Sequence, residues 1–162
     1  MSAHDIIFES RMTHIRELKT ELEKVRRENA ALRDELSSLK SHFDLALLAA
    51  DELGKGGTLE LWDGWNMILD AKVEARDLNG LVAMAKATGE RVWIVMDGPR
   101  ENVINDGKVR VSYTGGTGEH RADRFIIDFV RMARYLGRAN QVSVRTNDKD
   151  FRLSCLRLQS AP

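Results

Sequence analysis

A seven-residue hydrophobic repeat runs through the first part of this chain and is the feature that most restricts its folding. Apolar residues recur at alternating steps of three and four, interrupted by Arg11 and Asn29 alone. The positions are Phe8, Arg11, Ile15, Leu18, Leu22, Val25, Asn29, Leu32, Leu36, Leu39, Phe43 and Ala46. A single straight helix cannot bury so narrow a seam. The repeat therefore predicts a coiled-coil helix that needs a partner helix.

Charges beside the seam favour a parallel pair. With Asn29 at position a of the repeat, glutamates occupy position g and basic residues occupy position e. In a parallel pair these residues face each other as Glu21 with Arg26, Glu28 with Arg33, and Glu35 with Lys40. An antiparallel pair would instead place glutamate opposite glutamate. The expected dimer contacts are Leu18, Leu22, Val25, Asn29, Leu32, Leu36 and Leu39.

Asn29 further restricts the coil, because one asparagine at position a pairs with its own copy and fixes register at some cost in stability. The alternative is that Asn29 is a surface residue on a helix packed against its own domain. The seam is expected to drive association, because burying one Leu contributes about 1.5–3 kcal/mol and an exposed ion pair about 0.3–0.5 kcal/mol. The pattern fits a homodimer and also a heterodimer with a closely matched coil.

Composition changes at the stretch LGKGGT, residues 53–58, before which the chain has neither glycine nor proline. We therefore expect a coiled-coil dimerisation helix over residues 1–52, a glycine-rich linker over 53–58 and a separate domain over 59–162. The patch lacks the ending of a phosphate-binding loop, so a helix stop followed by a linker is the preferred interpretation.

The chain's totals point to neither a membrane nor a secreted protein. Its formal net charge is zero, and the stretch around residues 45–50 is too short an apolar run to span a bilayer. The N-terminus does not resemble a secretory signal. Cys155 is the single cysteine, which excludes an intrachain disulfide and favours a small buried residue. A cytoplasmic protein is expected.

The second part alternates between strand and helix patterns. Strands are predicted at residues 59–62, 91–98, 108–116 and from 141 to a break at Asn147, with helices at 77–90, 119–137 and 148–158. Asp77 and Gly89 are the expected start and stop signals of the first helix. This alternation predicts an α/β fold with a mostly parallel sheet of about four strands, covered on both faces.

Aspartates follow the predicted strands, at the edge where such sheets bind ligands. Asp63, Asp97 and Asp148 stand at strand ends, and Asp123 lies in the first turn of the longest predicted helix of this part. Taken singly, each is more often a turn former or helix cap. Together they suggest a site for a hard cation such as Mg²⁺ or Mn²⁺, which prefers oxygen ligands.

Four segments then carry a resemblance to a known family. They are LWDGWNMI, VWIVMDG, VRVSYTGGTGEHRADRFI and VSVRTNDKDF. In order and approximate spacing they resemble the NYN domains, a branch of the PIN-like nucleases, over residues 59 to about 155. The resemblance implies an α/β/α sandwich and a metal-dependent nuclease that hydrolyses RNA.

Carried over residue by residue, the resemblance assigns the site. Asp63, Asp123 and Asp148 would be the catalytic, metal-binding acids, with Asp97 and Asp150 as further metal ligands. Asn66 would orient a carboxylate or contact the substrate. The implied cofactor is Mg²⁺ or Mn²⁺.

Basic residues offer a place for RNA. Arg124, Arg131 and Arg134 fall along one side of the predicted helix 119–137, and Lys149 lies near the last aspartates. They suit contact with a polyanion, and they suit a solvated helix face equally well.

Two departures from the family pattern support a second interpretation. Arg124 stands where many relatives have a second acid, and the chain ends at Pro162, soon after the fourth predicted strand. The alternative is a catalytically degenerate NYN-like protein that binds RNA or acts as a scaffold. A phosphatase on a similar sheet is less favoured, because DGWN lacks the DxD of haloacid-dehalogenase-type enzymes.

Overall fold

The computed structural model describes residues 3–69, 77–99, 104–115 and 120–160, with side chains from residue 8 onward. The chain forms two compact units, Met1–Asp44 and Leu45–Pro162. Helix α1 extends over Ala3–Gly54, so the described part of the first unit is entirely helical.

The seam of the heptad repeat is exposed in the single chain. Its large apolar side chains range from 42% exposed at Val25 to 68% at Leu36. The side-chain amide of Asn29 donates to the carbonyl of Val25 at 3.1 Å, one turn earlier. The predicted helix is confirmed, and its pairing with a second helix stays a prediction.

The last turns of α1 belong to the second unit. Ala49 and Leu53 are buried there, and Leu45 and Leu48 pack against the same cluster. This spacing forms an apolar stripe of helical period, which explains the burial. The helix ends at the expected glycine patch, but the unit boundary lies after Asp44, earlier than the expected linker at 53–58.

The second unit contains a five-stranded, mostly parallel sheet in the order β3-β4-β2-β1-β5. The strands are β1 Leu59–Asp63, β2 Arg91–Met96, β3 Ile104–Asp106, β4 Val109–Tyr113 and β5 Val142–Arg145. β1 pairs in parallel with β2 and β5, and β2 pairs in parallel with β4. The four predicted strands are confirmed. The antiparallel edge strand β3 was not predicted, because its three residues are all exposed and carry no hydrophobic pattern.

The described residues of this unit also form four further helices. They are α2 Gly64–Leu69, α3 Leu78–Thr88, α4 Arg121–Tyr135 and α5 Lys149–Ser160, with a short 3-10 turn at Ala139–Gln141. α3 has the predicted signals: the Asp77 side chain accepts from Gly80 N–H, and Gly89 adopts a left-handed conformation with φ 70°. The short helix α2 was not predicted.

Two hydrophobic clusters cover the sheet. Alternate residues of one strand enter different clusters: Leu61 packs with α4 and α5, and Trp62 packs with α2 and α3. The period-two alternation of a strand produces this division. The α/β class with helices on both faces is therefore confirmed. Among the described residues, no helix combines the length and apolarity needed to cross a bilayer.

Leu53→Ala is expected to destabilise the second unit by about 2–5 kcal/mol, because it leaves a cavity under the sheet. Leu47→Ala is the matched control, since Leu47 lies on the same helix and is 56% exposed. Its effect should stay within about 0.5 kcal/mol. Urea denaturation measures the free energy of unfolding of both variants. Equal losses of stability would contradict the placement of this helix end in the core.

Candidate functional site at the carboxyl edge of the sheet

The order of the strands creates a crevice beside β1. The chain leaves β1 and reaches β2 on one side, and it returns from β4 through α4 to place β5 on the other side. Such a reversal opens a ligand site beyond the carboxyl ends of β1 and β5. Asp63 is the last residue of β1, and Thr146 directly follows β5.

Asp63 is the buried acid of this crevice, with 3% of its surface exposed. It follows Leu59 and Leu61 in the strand alternation, which turns its side chain toward α4. The side-chain amide of Asn66 donates to one carboxylate oxygen. The Thr146 hydroxyl lies 3.3 Å from the same oxygen, and the Asn66 main-chain N–H lies 3.5 Å from the other.

Gly64 explains how Asn66 reaches Asp63. A Cβ at Gly64 would lie 2.0 Å from the Met96 sulfur and 3.1 Å from the Val95 carbonyl oxygen. Only glycine lets α2 begin immediately after β1, pressed against β2. The DGWN stretch therefore combines a buried strand end, a close backbone approach and an amide that holds the carboxylate.

Asp123 provides a second negative charge near Asp63. Its carboxylate, in the first turn of α4, is 25% exposed and lies 3.1 Å from Nδ1 of His120. Burial raises the pKa of Asp63; hydrogen bonds from Asn66 oppose this rise, and the Asp123 charge adds to it. Burial, followed by the same Asp123 charge, raises the pKa of the Cys155 thiol to about 11. Cys155 is accordingly a buried neutral thiol, as expected.

The other predicted metal ligands have structural partners. One Asp97 oxygen accepts the Ala122 N–H at 2.6 Å and the Thr114 hydroxyl at 3.1 Å. Asp97 therefore caps α4 from the end of β2, since the first N–H groups of a helix lack partners within the helix. Asp148 caps α5 by accepting the N–H groups of Asp150 and Phe151.

The structure brings Asp63 and Asp123 near each other and uses Asp97 and Asp148 as helix caps, while Asp150 is exposed in the first turn of α5. Within the ranges described, no three His, Cys, Asp or Glu side chains form a group ready to hold an ion. The pair formed by the buried Asp63 and the partly exposed Asp123 nevertheless suits a divalent cation, because two nearby carboxylates repel unless a positive charge lies between them.

Arg124 and Lys149 lie in the first turns of α4 and α5, at this edge, and Arg131 and Arg134 lie further along α4, toward its end. Arg124, Arg131 and Lys149 are exposed, and Arg134 is half-buried. Arg131 pairs with Asp128 at 3.0 Å. The buried residues of α4 are Ala122, Ile126, Phe129, Val130 and Ala133. These apolar residues form the buried side of α4, and Arg124 and Arg131 lie on its exposed side.

Sequence reasoning missed two residues of the site. Thr146 is 7% exposed and binds Asp63, and His120 contacts Asp123 from a left-handed conformation with φ 58°. The position of Thr146 after a predicted strand was an available signal. Trp65 is 44% exposed and donates its indole N–H to the Asp97 carbonyl at 2.8 Å.

Comparison with known proteins adds no relative. No protein-family model, no curated protein and no solved structure matches this chain. The NYN resemblance remains a prediction from the quoted motifs.

Asp63→Asn is expected to stabilise the protein at neutral pH in buffer without divalent ions. The folded state binds the Asp63 proton more tightly than the unfolded chain. Wild-type stability therefore falls as pH rises from about 3.9, the usual aspartate pKa, through the raised folded pKa. The advantage of the variant should be small near pH 4 and largest near pH 7.

Chemical denaturation across this pH range, in the presence of EDTA, measures the difference. Asp34→Asn is the control, because Asp34 is exposed on α1. A stability difference for Asp63→Asn that does not change with pH would contradict the assignment.

Proposed function

We propose that this chain is a cytoplasmic, metal-dependent ribonuclease with a PIN-like α/β/α domain of NYN type, acting as a parallel coiled-coil homodimer. The observation that carries the proposal is the burial of Asp63 beside Asp123 at the topological switch point. A buried ionisable group under a like charge is costly in a purely structural role and is typical of functional sites.

Asp63 and Asp123 are the central ion-binding residues in this proposal, with Asp148, Asp97 and Asp150 as the remaining acids. Bound Mg²⁺ or Mn²⁺ would supply Lewis-acid polarisation of the scissile phosphate. Asn66 and Thr146 orient the Asp63 carboxylate by hydrogen bonds to its oxygens. Partners of this kind fix the direction of a ligand and increase its affinity for a metal.

The RNA backbone is proposed to contact the basic side of α4 and the start of α5. Arg124 directly follows Asp123, so a phosphate at the acidic pair would lie close to a guanidinium group. Arg131, Arg134 and Lys149 extend the positive charge away from the pair. Such contacts depend on charge and not on base sequence, and they weaken as salt rises.

Cleavage of mixed-sequence RNA in the presence of Mn²⁺ tests the proposal. Asp63→Asn is expected to lower the cleavage rate by at least about 100-fold, because it removes a charged ligand of the ion. Asp34→Asn should cleave at the wild-type rate. Equal rates for wild type and Asp63→Asn would exclude the proposed role of Asp63.

A binding readout accompanies the activity assay. Mn²⁺ should raise the melting temperature of the wild type, since a ligand that binds the folded state alone stabilises it. The melting temperature of Asp63→Asn should not respond. This comparison separates loss of the ion from loss of the fold, which Asp63→Asn is expected to preserve.

The second candidate is a degenerate NYN-like protein that binds RNA or acts as a scaffold. Two observations favour it: three acidic groups are not gathered around one point in the described residues, and Arg124 is exposed beside Asp123. In this case, RNA affinity would persist and Mn²⁺ binding would be undetectable at millimolar concentration.

The coil is the part of the proposal that concerns assembly. Its support is the exposed heptad seam, together with g and e charges that are complementary between parallel copies. A dimer would join two RNA-binding domains and so raise the affinity for one RNA through effective concentration.

Analytical ultracentrifugation should show a dimer at micromolar concentration. Asn29→Leu should raise the melting temperature and loosen the control of strand number, because the buried polar pair is lost. A monomeric wild type would contradict the coil. A variant that remains strictly dimeric without added stability would contradict the role of Asn29.

A further inference from the structure

Basic side chains surround a small cavity at the amino edge of the sheet, opposite the acidic pair. Arg91 is the first residue of β2, Lys108 precedes β4, Arg110 lies within β4, and Lys55 follows α1. In the sheet, Arg110 pairs with Trp93, and Arg91 lies two residues before Trp93 in β2. Both arginines are therefore on the same face as Trp93, which is the face covered by α1 and α4.

Glu52 is the buried carboxylate at the centre of this basic group and is 6% exposed. Its oxygens accept from Arg91 at 2.9 Å, from Arg110 at 2.9 Å and from Lys55 at 2.8 Å. Lys55 also contacts the exposed Asp51 at 3.1 Å. Hydrogen bonds to Glu52 and then to Asp51 raise the pKa of Lys55, so its ammonium group stays charged.

Positive charge exceeds negative charge around the cavity. Its charged lining comprises Lys55, Arg91, Lys108 and Arg110 against Glu52 alone. Even with Asp51, which contacts Lys55 from outside the cavity, two carboxylates do not balance four cations, and the excess attracts an anion.

The volume of the cavity suits a compact anion. It measures about 60 Å³. One water needs about 10–15 Å³ on this scale, so the space accommodates about four oxygen-sized groups. A tetrahedral oxyanion has this size and carries four oxygens.

Hydrogen-bond donors remain for such an anion. The Arg110 guanidinium lies 4.2 Å from the centre of the Trp93 ring, a stacking contact that holds it in place. The Lys108 ammonium donates to the Gly89 carbonyl, and an ammonium group has three donors.

We propose that this basic cavity binds a phosphate group, either as free phosphate or as the terminal phosphate of a nucleotide chain. Doubly charged phosphate matches both the excess of positive charge and the space for four oxygens. The proposal does not depend on the ribonuclease function, because none of the residues that carry it belongs to the carboxyl edge.

Calorimetric titration with inorganic phosphate tests the site, with sodium chloride at matched ionic strength to remove general screening. Lys108→Gln is expected to weaken binding about tenfold or more, the contribution of one charge-assisted hydrogen bond. Lys86→Gln is the matched control, because this exposed lysine pairs with Asp106 outside the cavity. It should bind phosphate as the wild type does.

Two results would overturn the proposal: no phosphate binding by the wild type at millimolar concentration, or equal affinity in Lys108→Gln. If Lys86→Gln weakened phosphate binding as much as Lys108→Gln does, the effect would reflect net charge alone. That result would also overturn the proposal. Arg124→Gln should keep wild-type phosphate affinity, so that failure of the proposed RNA surface and failure of this cavity are distinguishable.

Oligonucleotides identify the source of the phosphate. A 5′-phosphorylated oligonucleotide that binds more tightly than its 5′-hydroxyl counterpart, with the difference lost in Lys108→Gln, assigns a terminal phosphate. Equal binding of the two oligonucleotides, with phosphate itself still bound, assigns free phosphate. Binding of neither phosphate nor the phosphorylated end would refute both forms.

Discussion

The burial of a carboxylate at the end of β1, an interior strand of the sheet, is the constraint on which the rest of this domain depends. β1 lies between β2 and β5 and is covered on both faces, so Asp63 ends in a place with little water. A charge there is costly unless it is paired or hydrogen-bonded. Asn66 and Thr146 meet that requirement only in part, because their donors are neutral.

The two edges of the sheet handle a buried acid in opposite ways. Glu52 at the amino edge is surrounded by Arg91, Arg110 and Lys55, and the excess charge there is positive. Asp63 at the carboxyl edge has neutral donors and the negative Asp123 nearby, and the excess there is negative. The excess positive charge at the amino edge favours an anion, and the excess negative charge at the carboxyl edge favours a cation. This contrast supports separate ligands for the two edges.

Helix α1 illustrates how one element can carry two hydrophobic patterns. Over residues 8–46 a heptad repeat dominates, and its large side chains are exposed in the single chain. From Leu45 to Leu53 a second stripe enters the core of the α/β unit. The first pattern is typical of association with another chain, and the second ties the end of the helix to the sheet. A composition change at the glycines marks where the helix stops, not where the core begins.

By itself, the sequence determined the elements whose signals are local: the long helix, four strands, the caps of α3 and the apolar side of α4. It also placed Asp63 at the end of a buried strand. Only the tertiary structure decided that Asp97 and Asp148 cap helices, that Thr146 binds Asp63, and that Glu52 is buried among cations. Periodicity and capping depend on neighbours a few residues away, and a sequence displays them directly. Which carboxylate meets which N–H group or cation depends on how distant segments cross, and that is set by packing.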